Sequence, residues 1–218
     1  MKKCKIIIAD DHSILQHGLC NSLEMENDIE IVGKASSGFE AIKLTKALEP
    51  DLVIMDASMP GLNGIEATKQ IVTDYPDVKV LGLSMHTEKI YVSGMMSAGA
   101  SGYILKSCSF KELLSGIHAV LSGDIFYCNE VKHLIDGNDL AAGSEKPMSV
   151  FSLLSRRERE VLQLIAEGHK SRMIARKLSI SVKTVDIHRN NLKKKLNIHS
   201  IAELTKFAIA EGLTSTVL

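Results

Sequence analysis

No arginine occurs before Arg156 in this chain of 218 residues. The formal net charge of zero would by itself argue against a polyanionic partner, but it hides a division. Residues 1–128 carry 11 lysines against 16 acidic residues, a net of −5, and residues 129–150 have a net of −2. Residues 151–218 carry 13 basic residues against 6 acidic ones, a net of +7. Such asymmetry points to an anion-binding C-terminal part joined to an acidic partner. Also absent is any apolar run of about 18 residues, which excludes an ordinary membrane-spanning helix. No charged start followed by an apolar stretch and a small-residue cleavage site is visible. A soluble, cytoplasmic protein with no membrane partner is therefore expected. The four cysteines, Cys4, Cys20, Cys108 and Cys128, form no CxxC pair and no Cys/His ligand spacing, which excludes a zinc ribbon. A chain of this size needs no disulfide framework, so reduced and mostly buried thiols are expected. Repeats and low-complexity tracts are lacking too.

What is present is a regular alternation. Apolar runs near 5–9, 30–35, 52–55, 79–84 and 102–105 read as strands buried on both faces, as in a parallel sheet. Helices are expected near 13–25, 37–48, 63–75, 89–98 and 110–122. Strand–helix alternation with short links implies right-handed crossovers and an α/β doubly wound, five-stranded parallel sheet of flavodoxin type. From about 125 to 150 the pattern fades into a linker with room for one short helix at its start. From 152 onward everything reads as helix, near 155–167, 170–178, 181–196 and 200–211. Ser181 looks like an N-cap, and Gly168 and Gly212 look like helix stops. The expected domains are thus 1–124, the linker 125–150, and an all-α domain at 151–218.

Four of the strands run into residues that handle phosphate or metal: Asp10 and Asp11, Asp56, Ser84, and Lys106. Sheets of this kind bind ligands beyond the carboxyl ends of their strands. Convergence would bring three carboxylates, a hydroxyl and an ammonium into one small volume. Crowded carboxylates are unfavourable without a cation, and magnesium needs only one or two of them beside its waters. An aspartate can also attack phosphorus, in chemistry that is mostly positioning and charge neutralisation. Any one of these residues alone would pass for a helix cap or a solvated turn. Their joint placement at strand ends is the signal. His12 and His86 flank the site and read as solvated or lid residues, since no second pair at ligand spacing supports zinc.

On Asp10-Asp11, Met55-Asp-Ala-Ser-Met-Pro-Gly-Leu-Asn-Gly, Ser84, Tyr103 and Lys106, residues 1–124 resemble the receiver domain of bacterial two-component response regulators. The resemblance implies that Asp56 is the phosphoacceptor. It implies Mg2+ held by Asp10, Asp11, Asp56 and the Ser58 backbone carbonyl, with Lys106 beside the phosphoryl group. Ser84 and Tyr103 become a switch pair, the hydroxyl moving to the phosphate and the ring turning inward. Ser107 departs from the proline that many receivers carry after the lysine, often with a cis bond. Such a bond before a non-proline costs about 2.5–4 kcal/mol.

The C-terminal part shows helix-turn-helix spacing, with the turn at Ser179-Ile180-Ser181. At 100° per residue from Lys183, the positions Val185, His188, Leu192 and Leu196 fall between about 140° and 220°. Lys183, Asp186, Ile187, Asn190 and Lys194 fall within about 60° of zero. An apolar face opposite a polar, basic one is what a groove-reading helix needs. Asn190 suits adenine, Asp186 suits cytosine N4 and Ile187 suits a thymine methyl. Thr184, Arg189, Lys193, Lys194 and Lys170 suit phosphates. The run Arg157-Glu-Arg-Glu-Val-Leu, Ala166-Glu-Gly, Ile174-Ala, Ile180-Ser-Val-Lys-Thr-Val, His188 and Lys195-Leu resembles the LuxR family's DNA-binding domain, as in NarL- and FixJ-type regulators. That family usually has Ser-Asn-Lys-Glu where this chain has Lys170-Ser-Arg-Met. The last helix, with Leu204, Phe207 and Ala208, resembles the family's dimer contact, although the same side chains would serve to close a small core.

Together these resemblances imply a phosphorylation-controlled transcription regulator. Its expected partners are a cognate sensor histidine kinase, double-stranded promoter DNA and, on activation, a second copy. It is not expected to be an enzyme beyond promoting its own phosphorylation and dephosphorylation. Two other classes stay open: a regulator using the first domain only as a dimerisation scaffold, and a phosphohydrolase on the same sheet.

Overall fold

The apolar runs at the five expected places form strands β1 (Cys4–Ala9), β2 (Ile29–Ala35), β3 (Leu52–Asp56), β4 (Lys79–Ser84) and β5 (Gly102–Leu105). The structure is a computed structural model that describes residues 3–85, 87, 89–135, 154–196, 198, 200–211 and 213–214. The chain divides into two compact units, Met1–Ala141 and Ala142–Leu218. Between and after the strands lie α1 (Ser13–Glu24), α2 (Gly38–Leu48), α3 (Gly64–Asp74), α4 (Lys89–Ser97) and α5 (Phe110–Leu121). With a further strand, β6 (Phe126–Tyr127), every pairing among the described residues is parallel, in the order β2-β1-β3-β4-β5-β6.

The sixth strand, β6 (Phe126–Tyr127), corrects the expectation of five. Two residues carry no periodicity, and this strand exists only because Phe126 and Tyr127 pair with Gly102 and Tyr103 of β5. It is followed by the short helix α6 (Asn129–Ile135), so the expected linker starts as ordered structure. Residues 136–150 of that linker, His86 and Gly212 lie outside the described residues.

Ile6, Ile7, Ile8, Leu52, Val53, Ile54 and Met55 are all 0% exposed, the two-faced burial that aliphatic runs demand of a parallel sheet. Because β1 pairs with both β2 and β3, the chain changes direction between them. A crevice opens over their carboxyl ends at such a switch point.

A repeated signal starts the helices. Ser37, Asn63 and Ser109 each accept a hydrogen bond from the backbone N–H of a glutamate three residues on. Ser155 with Glu158, and Ser200 with Glu203, close full capping boxes. Each cap satisfies a donor that the first turn would leave open.

In the second unit, α7 (Arg156–Ala166), α8 (Ser171–Lys177), α9 (Val182–Leu196) and α10 (Ile201–Ala210) surround a small core. Buried charges knit it together. Glu158 accepts from Lys195 Nζ at 2.7 Å, and Glu160 accepts from both Arg156 and Arg157. Arg157 also donates to the Leu178 carbonyl at 2.7 Å, fastening α7 to the turn between α8 and α9. Leu204 and Ala208, expected as a dimer contact, are 0% exposed within the unit itself. They pack into its core, the second of the two roles the sequence left open for them. Phe207 is half-buried. No helix among the described residues is long and apolar enough to cross a membrane.

Candidate functional site

Asp10 follows β1, Asp56 ends β3 and Lys106 follows β5, so two adjacent strands and a third beyond β4 deliver all three to one place. Lys106 Nζ lies 2.8 Å from Asp10 Oδ2 and 2.8 Å from Asp56 Oδ2, and all three side chains are no more than 3% exposed. Asp56 Oδ1 accepts the Ser58 backbone N–H at 3.1 Å, and Asp10 Oδ1 accepts that of His12 at 2.8 Å. Asp11 stands at the mouth with its side chain 30% exposed. Ligand atoms of Asp10, Asp11, His12 and Asp56 all lie within 4.8 Å of one another. His12 is solvated, as expected, at 65% exposure, yet its Nδ1 comes within 3.2 Å of Asp10 and 3.3 Å of Asp11.

Three carboxylates facing one ammonium leave two negative charges uncompensated. Burial raises the pKa of Asp56 from 3.8 to about 6, against the opposing pull of Lys106. Burial disfavours the charge on Lys106 as well, but Asp56 and Asp10 outweigh it and hold that pKa above its ordinary value. The donors are hard oxygens, the deficit matches a divalent ion, and the buried Ser58 Oγ has no hydrogen-bond partner. These residues fit a magnesium-like cation.

Ser84 ends β4 fully buried, and its carbonyl accepts the Lys106 backbone N–H at 2.7 Å. Tyr103 is 0% exposed, its ring packed beside Gly82. The ring lies inward in this structure. The Lys106–Ser107 bond is trans.

Two residues that position the site escaped sequence reasoning. Gln16 donates from Nε2 to the carbonyls of Ala35 at 2.7 Å, Asp10 at 3.2 Å and Ile8 at 3.4 Å, lashing the end of β1 to β2. Its signal was a polar residue at helical spacing from Cys20 and Leu23, on the buried side of α1. Gly64 lets α3 start against the Asp56 backbone: a Cβ there would sit 1.8 Å from the Asp56 carbonyl oxygen.

In the second unit, α9 separates its faces as its spacing requires. Val185 and Leu192 are buried, while Lys183, Asp186, Ile187, Asn190 and Lys194 are exposed. Lys170 is exposed, and Thr184, Arg189 and Lys193 are half-buried. Ser181 caps α9 by accepting the Thr184 N–H at 3.0 Å. Arg189 departs from a plain phosphate contact, since its Nη1 donates to Ser171 Oγ at 2.9 Å.

Comparison with known proteins assigns both units. Residues 6–118 match the response regulator receiver domain, and residues 152–208 match the bacterial regulatory proteins of the luxR family. The oxygen regulatory protein NreC of Staphylococcus carnosus is 37% identical over 213 residues, covering 96% of this chain and 98% of NreC. The response regulator UvrY of Escherichia coli O6:H1 is 38% identical over 208 residues, covering 95% of this chain and 94% of UvrY. A solved structure of two RcsB dimers bound to two parallel DNAs matches with a TM-score of 0.60 at 27% identity, covering 96% of this chain and 99% of that one.

Proposed function

This chain belongs to the two-component response regulators that join a receiver domain to a LuxR-family DNA-binding domain, and on that premise we propose how its residues carry the signal. Residues 1–124 are the receiver, 125–150 connect, and 151–218 bind promoter DNA in the cytoplasm. A cognate sensor histidine kinase presents phosphohistidine. An Asp56 carboxylate oxygen attacks phosphorus, the N–P bond breaks, and the imidazole leaves with its electron pair. Lys106 takes the negative charge that spreads over the phosphoryl oxygens. Mg2+, when bound, would be held by Asp10, Asp11, Asp56 and the Ser58 carbonyl, and would supply charge neutralisation. Hydrolysis of the acyl phosphate returns the receiver to rest, so the chain acts on itself and turns over no other substrate.

The observation that carries this proposal is Lys106 Nζ 2.8 Å from two buried carboxylates of separate strands, in a site two positive charges short. Phosphorylation adds about −1.5 to −2 charges and three acceptor oxygens. Ser84 answers the new oxygens, and Tyr103 and α4 repack around it. Binding of DNA and pairing of two copies follow, with half-sites about 34–36 Å apart. In the groove Asp186, Ile187 and Asn190 face bases, while Lys183, Lys170, Lys193, Lys194, Thr184 and Arg189 lie toward phosphates. Promoter binding and mass should be compared for Asp56→Asn and wild type, with and without acetyl phosphate. Acetyl phosphate is expected to raise both in the wild type alone. Unchanged affinity and unchanged mass would remove phosphocontrol and leave DNA binding standing.

A further inference from the structure

α8 begins at Ser171, and this side chain bonds to α9 rather than to its own helix. Ser171 Oγ donates to Asp186 Oδ1 at 3.2 Å and accepts from Arg189 Nη1 at 2.9 Å. A hydroxyl has one hydrogen and two lone pairs, so one oxygen fills both roles at once. Asp186 and Arg189 stand three residues apart on α9, on neighbouring positions of one helix face. Their direct separation is 4.0 Å, beyond a hydrogen bond, so the serine stands between two charges that would otherwise close on each other. The Asp186 side chain meanwhile stays 55% exposed, on the face that also bears Ile187 and Asn190.

Resting on the reading that α9 enters the major groove, we propose that Ser171 is a positioning residue for sequence recognition. It holds the Asp186 carboxylate clear of Arg189, so that the free acceptors meet a base-edge amine such as cytosine N4. A carboxylate locked side-on to a guanidinium spends both oxygens on it and offers little to a base. With the hydroxyl gone, Asp186 and Arg189 collapse into that direct pair. Ser171 itself touches no base. Its effect is on which sequences are chosen, with little effect on how strongly DNA as a polyanion is held.

The test uses the full chain with acetyl phosphate and Mg2+, selecting from a library of randomised duplexes, followed by titrations of the selected duplex and of a scrambled one. Ser171→Ala is expected to flatten the preference at one position per half-site by about tenfold. Asp186→Ala flattens that same position, and Ser171→Thr, which keeps the hydroxyl, restores it. Affinity for the scrambled duplex falls by less than that tenfold, and its salt slope drops by no more than the single Arg189 contact per protomer. Full preference at every position in Ser171→Ala would overturn the proposal. So would a uniform loss of affinity with a shallower salt slope, which would make Ser171 a phosphate contact. A wild-type chain that selects no duplex would bring down the DNA-binding reading, and this proposal with it.

Discussion

Asp56 shows how one residue's burial becomes a measurable dependence on pH. Its folded-state pKa of about 6 stands above the unfolded value of 3.8, so between those limits the folded chain holds a proton that the unfolded chain has lost. Metal-free receiver stability therefore falls as pH rises through that window. Asp56→Asn removes the buried charge and is expected to stabilise the metal-free protein at pH 7 by on the order of 1–3 kcal/mol. Thermal unfolding in chelator checks it. A lowered melting point would mean that the Lys106 pairing outweighs burial. The same proton competes with the cation, so magnesium affinity should weaken about tenfold per pH unit below 6, as calorimetric titration would show. Gly64 makes a steric prediction. A methyl group placed 1.8 Å from the Asp56 carbonyl oxygen forces the backbone apart. Gly64→Ala should cost about 1–3 kcal/mol and slow acetyl-phosphate labelling of Asp56. Labelling at the wild-type rate would show that α3 can retreat without moving the acceptor.

Among elements, the turn between α8 and α9 carries its own strain. Ser179 adopts φ +53°, a left-handed conformation that costs a non-glycine residue about 1 kcal/mol or more. Ser179→Gly should stabilise the DNA-binding unit by about 1 kcal/mol, seen as a melting shift of a few degrees. No shift would mean that the Arg157 bond to Leu178 already holds the turn against its preference. Elements with strong local signals were legible beforehand. The aliphatic runs of β1, β3 and β4 state their structure in a few consecutive residues, whereas the Ser-x-x-Glu or Asn-x-x-Glu starts of five helices are just as local and went unread. β6 was missed because a two-residue strand is defined by its partner. The last helix gave the right element with two roles open. Leu204 and Ala208 lie on a face whose destination, core or second copy, depends on where α7 sits.

For the whole molecule, the charge division sets how DNA is held. Four lysines at or beside α9, Lys170, Lys183, Lys193 and Lys194, give two protomers eight candidate phosphate contacts. The logarithm of affinity should fall against the logarithm of salt with a slope of about −7, each contact adding about −0.9. Lys194→Ala should make the slope shallower by about 2 for a dimer, without changing which sequence is preferred. Fluorescence anisotropy across a salt series measures both. An unchanged slope would place Lys194 in solvent.

Aliphatic runs, capping pairs and the sequence order of Asp10, Asp56, Ser84 and Lys106 determined the sheet, most helix starts and the identity of the acidic site. They could do so because strand periodicity and cap chemistry act over a few neighbouring residues. Tertiary structure alone decided that one ammonium bridges two carboxylates that lie 50 and 96 residues away along the chain. It alone sent Leu204 inward, paired β6 with β5 and set Ser171 between Asp186 and Arg189. Those outcomes depend on distances between residues remote in sequence, which packing fixes and local pattern does not contain.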